Sequence, residues 1–205
     1  MIRLAMYGNF SSTFPLGRLF TVDQCNELKR MSEYHAYGAD NAAWRGMACK
    51  TVPGFVGMTD PAFRRLLLEL RDLYPNISRG SSSSGDGGGR GGGGGGGGGE
   101  GGGGGVGRTT TMRFESDSEP HLVKYSGASS GSPLHVDTDH MSLTVNVLLS
   151  DVGDFGGGGT YIRAIDRTIY LEQGQMLVHP GCLAHAGNDI TYGVRQLLVA
   201  FVECE

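Results

Sequence analysis

Residues 80 to 107, GSSSSGDGGGRGGGGGGGGGEGGGGGVG, are almost entirely glycine and serine and limit what the rest of the chain can build. Glycine has the most backbone freedom to lose on folding and no side chain to bury, so this segment is expected to be a disordered insertion outside any core. Arg90 invites an RGG-type RNA-binding reading, but a single unit without repeats or aromatics fits that class poorly, and composition alone accounts for the tract. The chain of 205 residues is thus divided into flanks 1–79 and 108–205. One shared core is expected for a chain of this length.

The first flank reads as helical support. Thr21 and Gln24 fit a capping box, and Val22, Cys25, Leu28 and Met31 recur every three residues as an apolar stripe. A second helix is expected with Asp60 as its cap, Pro61 in its first turn, Phe63, Leu66, Leu67 and Leu70 as its buried face, and Pro75 as its stop. The single Trp44 between them reads as packing.

The second flank changes period. HLVKYS, SLTVNVLLS, GTYIRA, TIYLEQG, QMLVHP and VRQLLVAFVE are short β-type runs separated by Gly, Asp and Ser, the pattern of a β-sandwich or double-sheet jelly roll. Leu143, Val145, Val147 and Leu149 share one face, as a half-buried strand requires. The last run is apolar on both faces apart from Arg195 and Gln196, which marks a central strand with a charge at its start.

A net charge of -4 gives no global attraction to nucleic acid or anionic membrane. The scattered Cys25, Cys49, Cys182 and Cys204 read as reduced thiols. The opening MIRLAMYGNFSSTFPLG lacks a secretory apolar run, so a soluble, cytoplasmic protein is expected.

Chemistry concentrates after residue 130. In Pro133-Leu134-His135-Val136-Asp137 an extended backbone puts His135 and Asp137 on one face, within reach of one ion. His185, in CLAHAGND, follows a strand and the Pro180-Gly181 turn, which would bring it to the edge of a facing sheet. Two imidazoles and one carboxylate leave three octahedral positions open, the signature of non-haem Fe(II) oxygenases. Structural zinc would want a fourth ligand, and the only nearby thiol, Cys182, lies outside the pattern. Arg195 in an apolar strand needs a partner. A dicarboxylate ligand would supply one through a bidentate pair, and a core Asp or a solvated strand end are the alternatives.

HVD at 135–137, HAG at 185–187 and then Arg195 resemble, in that order, the prolyl 4-hydroxylase-like branch of the Fe(II)/2-oxoglutarate-dependent dioxygenases, over roughly residues 113 to 203. Tyr125 stands where that branch places a tyrosine bonding the 2-oxoglutarate carboxylate, and Phe155 to Thr160 resembles its FxGG strand opening. The resemblance implies a mainly β chain with flanking helices and a double-stranded β-helix, cupin-like core. It implies Fe(II) on His135, Asp137 and His185, and 2-oxoglutarate on Arg195 and Tyr125. Asn146 and Thr160 are further candidates for lining that pocket. The activity implied is hydroxylation of a C–H bond with release of succinate and CO2, with ascorbate re-reducing the iron. A protein side chain such as peptidyl proline is the expected substrate, and a small molecule is possible. Phe201 stands where related nucleic-acid demethylases carry a second Arg, so no nucleic-acid partner is expected. His179 fits the spacing to Arg195 less well than His185 does, Asp139 and His140 read as loop or substrate-entrance residues, and His35 and His121 read as ordinary polar positions. The competing reading is a non-catalytic cupin-like module that holds a metal or ligand, in which Arg195 would have no role.

Overall fold

A computed structural model describes residues 2–6, 10–14, 17–33, 46–48, 54–73, 111–115, 119–127, 131–137 and 142–204. The Gly/Ser tract, His35, Trp44, Asp139 and His140 lie outside the described residues. No helix among those described is long and apolar enough to cross a membrane.

Helix α1, Val22–Ser32, starts at the expected cap: the Gln24 amide donates to Thr21 Oγ1 at 3.2 Å and the Thr21 amide to Gln24 Oε1 at 2.9 Å. Cys25 and Leu28 are buried and Met31 packs against the core, while Val22, in the first turn, is exposed. Burial pushes the Cys25 thiol up to about 11, which leaves it unreactive.

Helix α2, Phe55–Leu73, begins earlier than the sequence suggests, and Pro61 lies inside it. A proline cannot donate to the carbonyl four residues before it, here that of Gly57. Both residues are exposed, so water can satisfy that carbonyl. Phe55 is fully buried, and the Thr59 hydroxyl donates to the Phe55 carbonyl at 3.1 Å. Tertiary burial of the first turn therefore outweighs the local stop signal.

The strands are β1 Ile2–Met6, β2 Phe10–Phe14, β3 Gly46–Ala48, β4 Met112–Phe114, β5 His121–Ser126, β6 Ser132–His135, β7 Ser142–Leu148, β8 Phe155–Gly157, β9 Thr160–Ile162, β10 Arg167–Ile169, β11 Met176–Pro180, β12 His185–Gly187 and β13 Ile190–Cys204. Strands β1 and β2 form a hairpin. The larger sheet runs β11-β7-β13-β5-β3, with β4 and β8 also paired to β13, and the smaller runs β10-β9-β12-β6. Both are antiparallel throughout.

Alternation along the strands of the larger sheet separates two cores. Leu143, Val145, Val147, Leu198, Ala200 and Val202 pack with Leu28, Phe63, Leu66 and Leu70 of the helices. On the opposite face Val123, Leu177, Leu197 and Val199 pack with Ile162 and Leu183 from the smaller-sheet side. The result is a mainly β, two-sheet core with helices on one outer face. β7 is buried on both faces, not half-buried as its alternation suggests, because its polar residues face the space between the sheets. β13 is central, but it starts at Ile190, so Arg195 is an interior residue of the strand and does not open it.

Candidate active site

Edge strand β6 and its neighbour β12 place His135 directly opposite His185, and the residues after β6 bring Asp137 between them. One ligand atom from each of the three lies within 4.8 Å of the others. His135 Nε2 is 3.3 Å from Asp137 Oδ1, and His185 Nε2 is 3.5 Å from Asp137 Oδ2. The imidazoles are oriented from behind: His135 Nδ1 lies 2.7 Å from the Pro133 carbonyl oxygen and His185 Nδ1 lies 2.9 Å from that of Leu183. A carbonyl only accepts, so each neutral ring carries its proton on Nδ1 and turns the Nε2 lone pair toward the other ligands. This donor set, two nitrogens and one oxygen with no thiol, suits a borderline divalent ion such as Fe(II).

Behind the triad His179 is fully buried, its ring centroid 4.5 Å from that of His185. Burial first, and the nearby His185 second, push its pKa down to about 4. It is therefore neutral at ordinary pH. Its Nδ1 donates to the Pro180 carbonyl at 3.0 Å, so its Nε2 accepts from the Asn146 amide at 3.3 Å. His179 braces the site from outside the group of three.

The triad opens into a cavity of about 110 Å³ between the sheets, whose wall also includes Asn146, Thr160, Tyr125 and Arg195. Arg195 is buried, its guanidinium carbon 5.4 Å from the centre of the Tyr125 ring. Burial pulls its pKa below the usual arginine range. Its Nη1 has no hydrogen-bond partner, and no carboxylate pairs with it among the described residues. An orphaned buried guanidinium nitrogen costs roughly 1–3 kcal/mol or more, so this cavity fits an anion. Among the described residues no core Asp pairs with Arg195, and its burial inside β13 rules out a solvated strand end.

The structure thus brings His135, Asp137, His185, Tyr125, Asn146, Thr160 and Arg195 into one cavity. Sequence reasoning passed over Thr144, which lines the same wall and bonds Asp137, and Ser132, whose hydroxyl accepts from the Gly187 amide at 2.7 Å. Alternation along β7 puts Thr144 on the same face as Asn146. His121, read as an ordinary polar position, has its Nε2 3.2 Å from Glu119 Oε1. Cys25 and Cys182 are free thiols.

No family model matches the chain. Among curated proteins it is 32% identical over 92 residues to a PKHD-type hydroxylase of Prochlorococcus marinus strain SARG, covering 40% of this chain and 42% of that one. A second PKHD-type hydroxylase, from strain MIT 9303, is 28% identical over 85 residues, covering 38% of each. The chain thus spans about two fifths of the length of these relatives. Among solved structures, a viral collagen prolyl hydroxylase from Paramecium bursaria Chlorella virus-1, in its 2OG complex, superposes with a TM-score of 0.58 at 12% identity, covering 90% of this chain and 91% of that one. A Pseudomonas putida prolyl-4-hydroxylase gives 0.54 at 11% identity, covering 91% and 89%. The fold is that of the prolyl hydroxylase-like 2-oxoglutarate–Fe(II) oxygenases. The jelly-roll core expected from the strand pattern is present, and the sequence relatives are, like the structural neighbours, hydroxylases by name.

Proposed function

We propose that this chain is an Fe(II)- and 2-oxoglutarate-dependent dioxygenase that hydroxylates a C–H bond and releases succinate and CO2. The observation that carries the reading is that one cavity holds both a compact His135, Asp137, His185 group and the unpartnered Nη1 of buried Arg195. Such a cavity asks for a cation at one place and an anion at another, and a small dicarboxylate that also reaches the ion satisfies both. His135, Asp137 and His185 hold the metal, and Arg195, with the Tyr125 ring beside it, takes the distal carboxylate. Asn146 and Thr160 supply polar contacts along the wall between. Bound iron and 2-oxoglutarate would supply the oxidising chemistry, using dioxygen. The protein's part is to fix the imidazole tautomers through the Pro133 and Leu183 carbonyls, to hold a charge for the carboxylate, and to keep the cavity walled from bulk water by Val123, Leu197 and Val199.

We further infer a peptide or protein side chain such as proline as the substrate, because both structural neighbours named above are prolyl hydroxylases. Ascorbate is proposed as the reductant that restores iron after uncoupled turnover. Residues 1–79 are read as support for a catalytic core at 108–205, on the ground that α1 and α2 cover the outer face of the larger sheet.

Protein loaded with Fe(II) under argon should develop a weak visible charge-transfer band when 2-oxoglutarate is added, and should form succinate when oxygen is admitted. Absence of both the band and 2-oxoglutarate-dependent succinate would favour the non-catalytic module. Succinate release across peptide, amino-acid and nucleic-acid panels would then test the substrate class.

A further inference from the structure

The two oxygens of Asp137 are not equivalent. Each faces an imidazole, Oδ1 that of His135 at 3.3 Å and Oδ2 that of His185 at 3.5 Å, but only Oδ2 also accepts a hydrogen bond from Thr144 Oγ1, at 2.6 Å. Thr144 is almost wholly buried on the cavity face of β7, where its backbone is committed to β11 and β13. The main chain of Asp137 is held separately, its amide donating to the Gly181 carbonyl at 3.0 Å while the Gly181 amide donates to the Ser142 carbonyl at 2.8 Å. The loop carrying Asp137 is thus tied to the loop between β11 and β12, and its carboxylate is tied to β7.

We propose that Thr144 is a positioning residue that keeps Asp137 a one-oxygen ligand. An aspartate free to turn can chelate an ion with both oxygens and so occupy two coordination positions instead of one. With His135 and His185 that would leave two positions open out of six, where the function proposed above needs three: two for a chelating keto acid and one for dioxygen. A hydroxyl proton on Oδ2 opposes this in two ways. It withdraws that oxygen's electron density from the ion, and it fixes the rotation of the carboxylate by a short, charge-assisted bond from a rigid, β-branched side chain. Hydrogen-bond partners behind a metal ligand typically change metal affinity 10- to 100-fold when removed.

The inference rests on the metal-site reading, and Co(II), a spectroscopic stand-in for Fe(II), separates the two. Thr144→Val keeps the branched shape and removes only the hydroxyl, and Thr144→Ser keeps the hydroxyl with less bulk. The wild type and the Ser variant should bind Co(II) with affinities within about threefold of each other and with the same d–d absorption envelope. The Val variant should bind about 10- to 100-fold more weakly, with altered band intensity, and its spectrum should respond less to added 2-oxoglutarate. A hydroxyl needed only for folding would shift the melting temperature of the metal-free protein without changing the Co(II) spectrum. Wild-type affinity and spectrum in the Val variant, or Val-like behaviour in the Ser variant, would overturn the role given to Thr144 and leave the metal site standing. A wild type that binds no Co(II) would remove the site itself, and this inference with it.

Discussion

Because Arg195 is buried with Nη1 unpaired, its charge works against the ligand-free fold and becomes favourable only when an anion enters the cavity. Replacing it by methionine, of similar length but uncharged, removes both effects together. We expect Arg195→Met to leave the metal-free protein equally stable or more stable by roughly 1–3 kcal/mol, and to weaken 2-oxoglutarate binding about 100-fold or more. Thermal melts in Mn(II), with and without 2-oxoglutarate, read both: the co-substrate should raise the wild-type midpoint and not that of the variant. An equal rise in both would remove Arg195 from the anion site. Arg195 was legible in the sequence because a charge inside an apolar run is anomalous by itself. His135, Asp137 and His185 were legible by order and spacing. Thr144 and His179 were not singled out as supports, since neither residue type is unusual in a strand, and their roles arise only where β7 and β11 pair Thr144 with His179 behind the triad.

The turn between β8 and β9 shows how backbone geometry reaches the anion pocket. Gly157, Gly158 and Gly159 all have positive φ, at 75°, 72° and 92°, a run that residues with a Cβ adopt only with strain. A Cβ on Gly158 would also stand 3.2 Å from Arg195 Cδ, so the missing side chain leaves room for the arginine stem. Gly158→Ala should destabilise the protein by about 1–2 kcal/mol from backbone strain. Displacement of the guanidinium should weaken 2-oxoglutarate binding by about tenfold, roughly 1.4 kcal/mol, with Mn(II) affinity unchanged. Calorimetric titration with each ligand tests this, and parallel losses of both affinities would contradict it. Elements with one clear period are legible in the sequence: β5 matches the run HLVKYS residue for residue, and α1 starts at its capping box. The start of α2 is hidden in the sequence because a proline after an aspartate is the usual mark of a first turn, and the burial of Phe55 that overrides it is a tertiary fact. β7 looks half-buried in sequence because local alternation cannot reveal that its polar face closes on a cavity.

How the two flanks make one molecule turns on α2 and β4. They pack together, with the Phe63 and Phe114 rings edge to face at 5.5 Å, so the chain leaves the described core at Leu73 and returns at Met112 in neighbouring elements. Phe63 lies about 15 Å along the helix from Leu73. If residues 80 to 107 are the structureless insertion that their composition predicts, removing them shortens the connection from about 40 residues to about 10. Ten extended residues still span roughly 33 Å, enough to run back along the helix to β4. The shorter loop loses less entropy on closure, a gain of about 1 kcal/mol. The Δ80–107 protein should therefore melt at the same temperature or slightly higher, and should bind Mn(II) and 2-oxoglutarate within about twofold of the full chain, because the described residues that line the cavity all come from the second flank. A fall in stability, or a loss of either affinity, would mean that the tract takes part in the fold or the site. Filter binding to RNA, run on both proteins, completes the comparison: RNA affinity present in the full chain and lost on deletion, with ligand affinities unchanged, would give the glycines a role of their own and overturn their reading as a passive insertion.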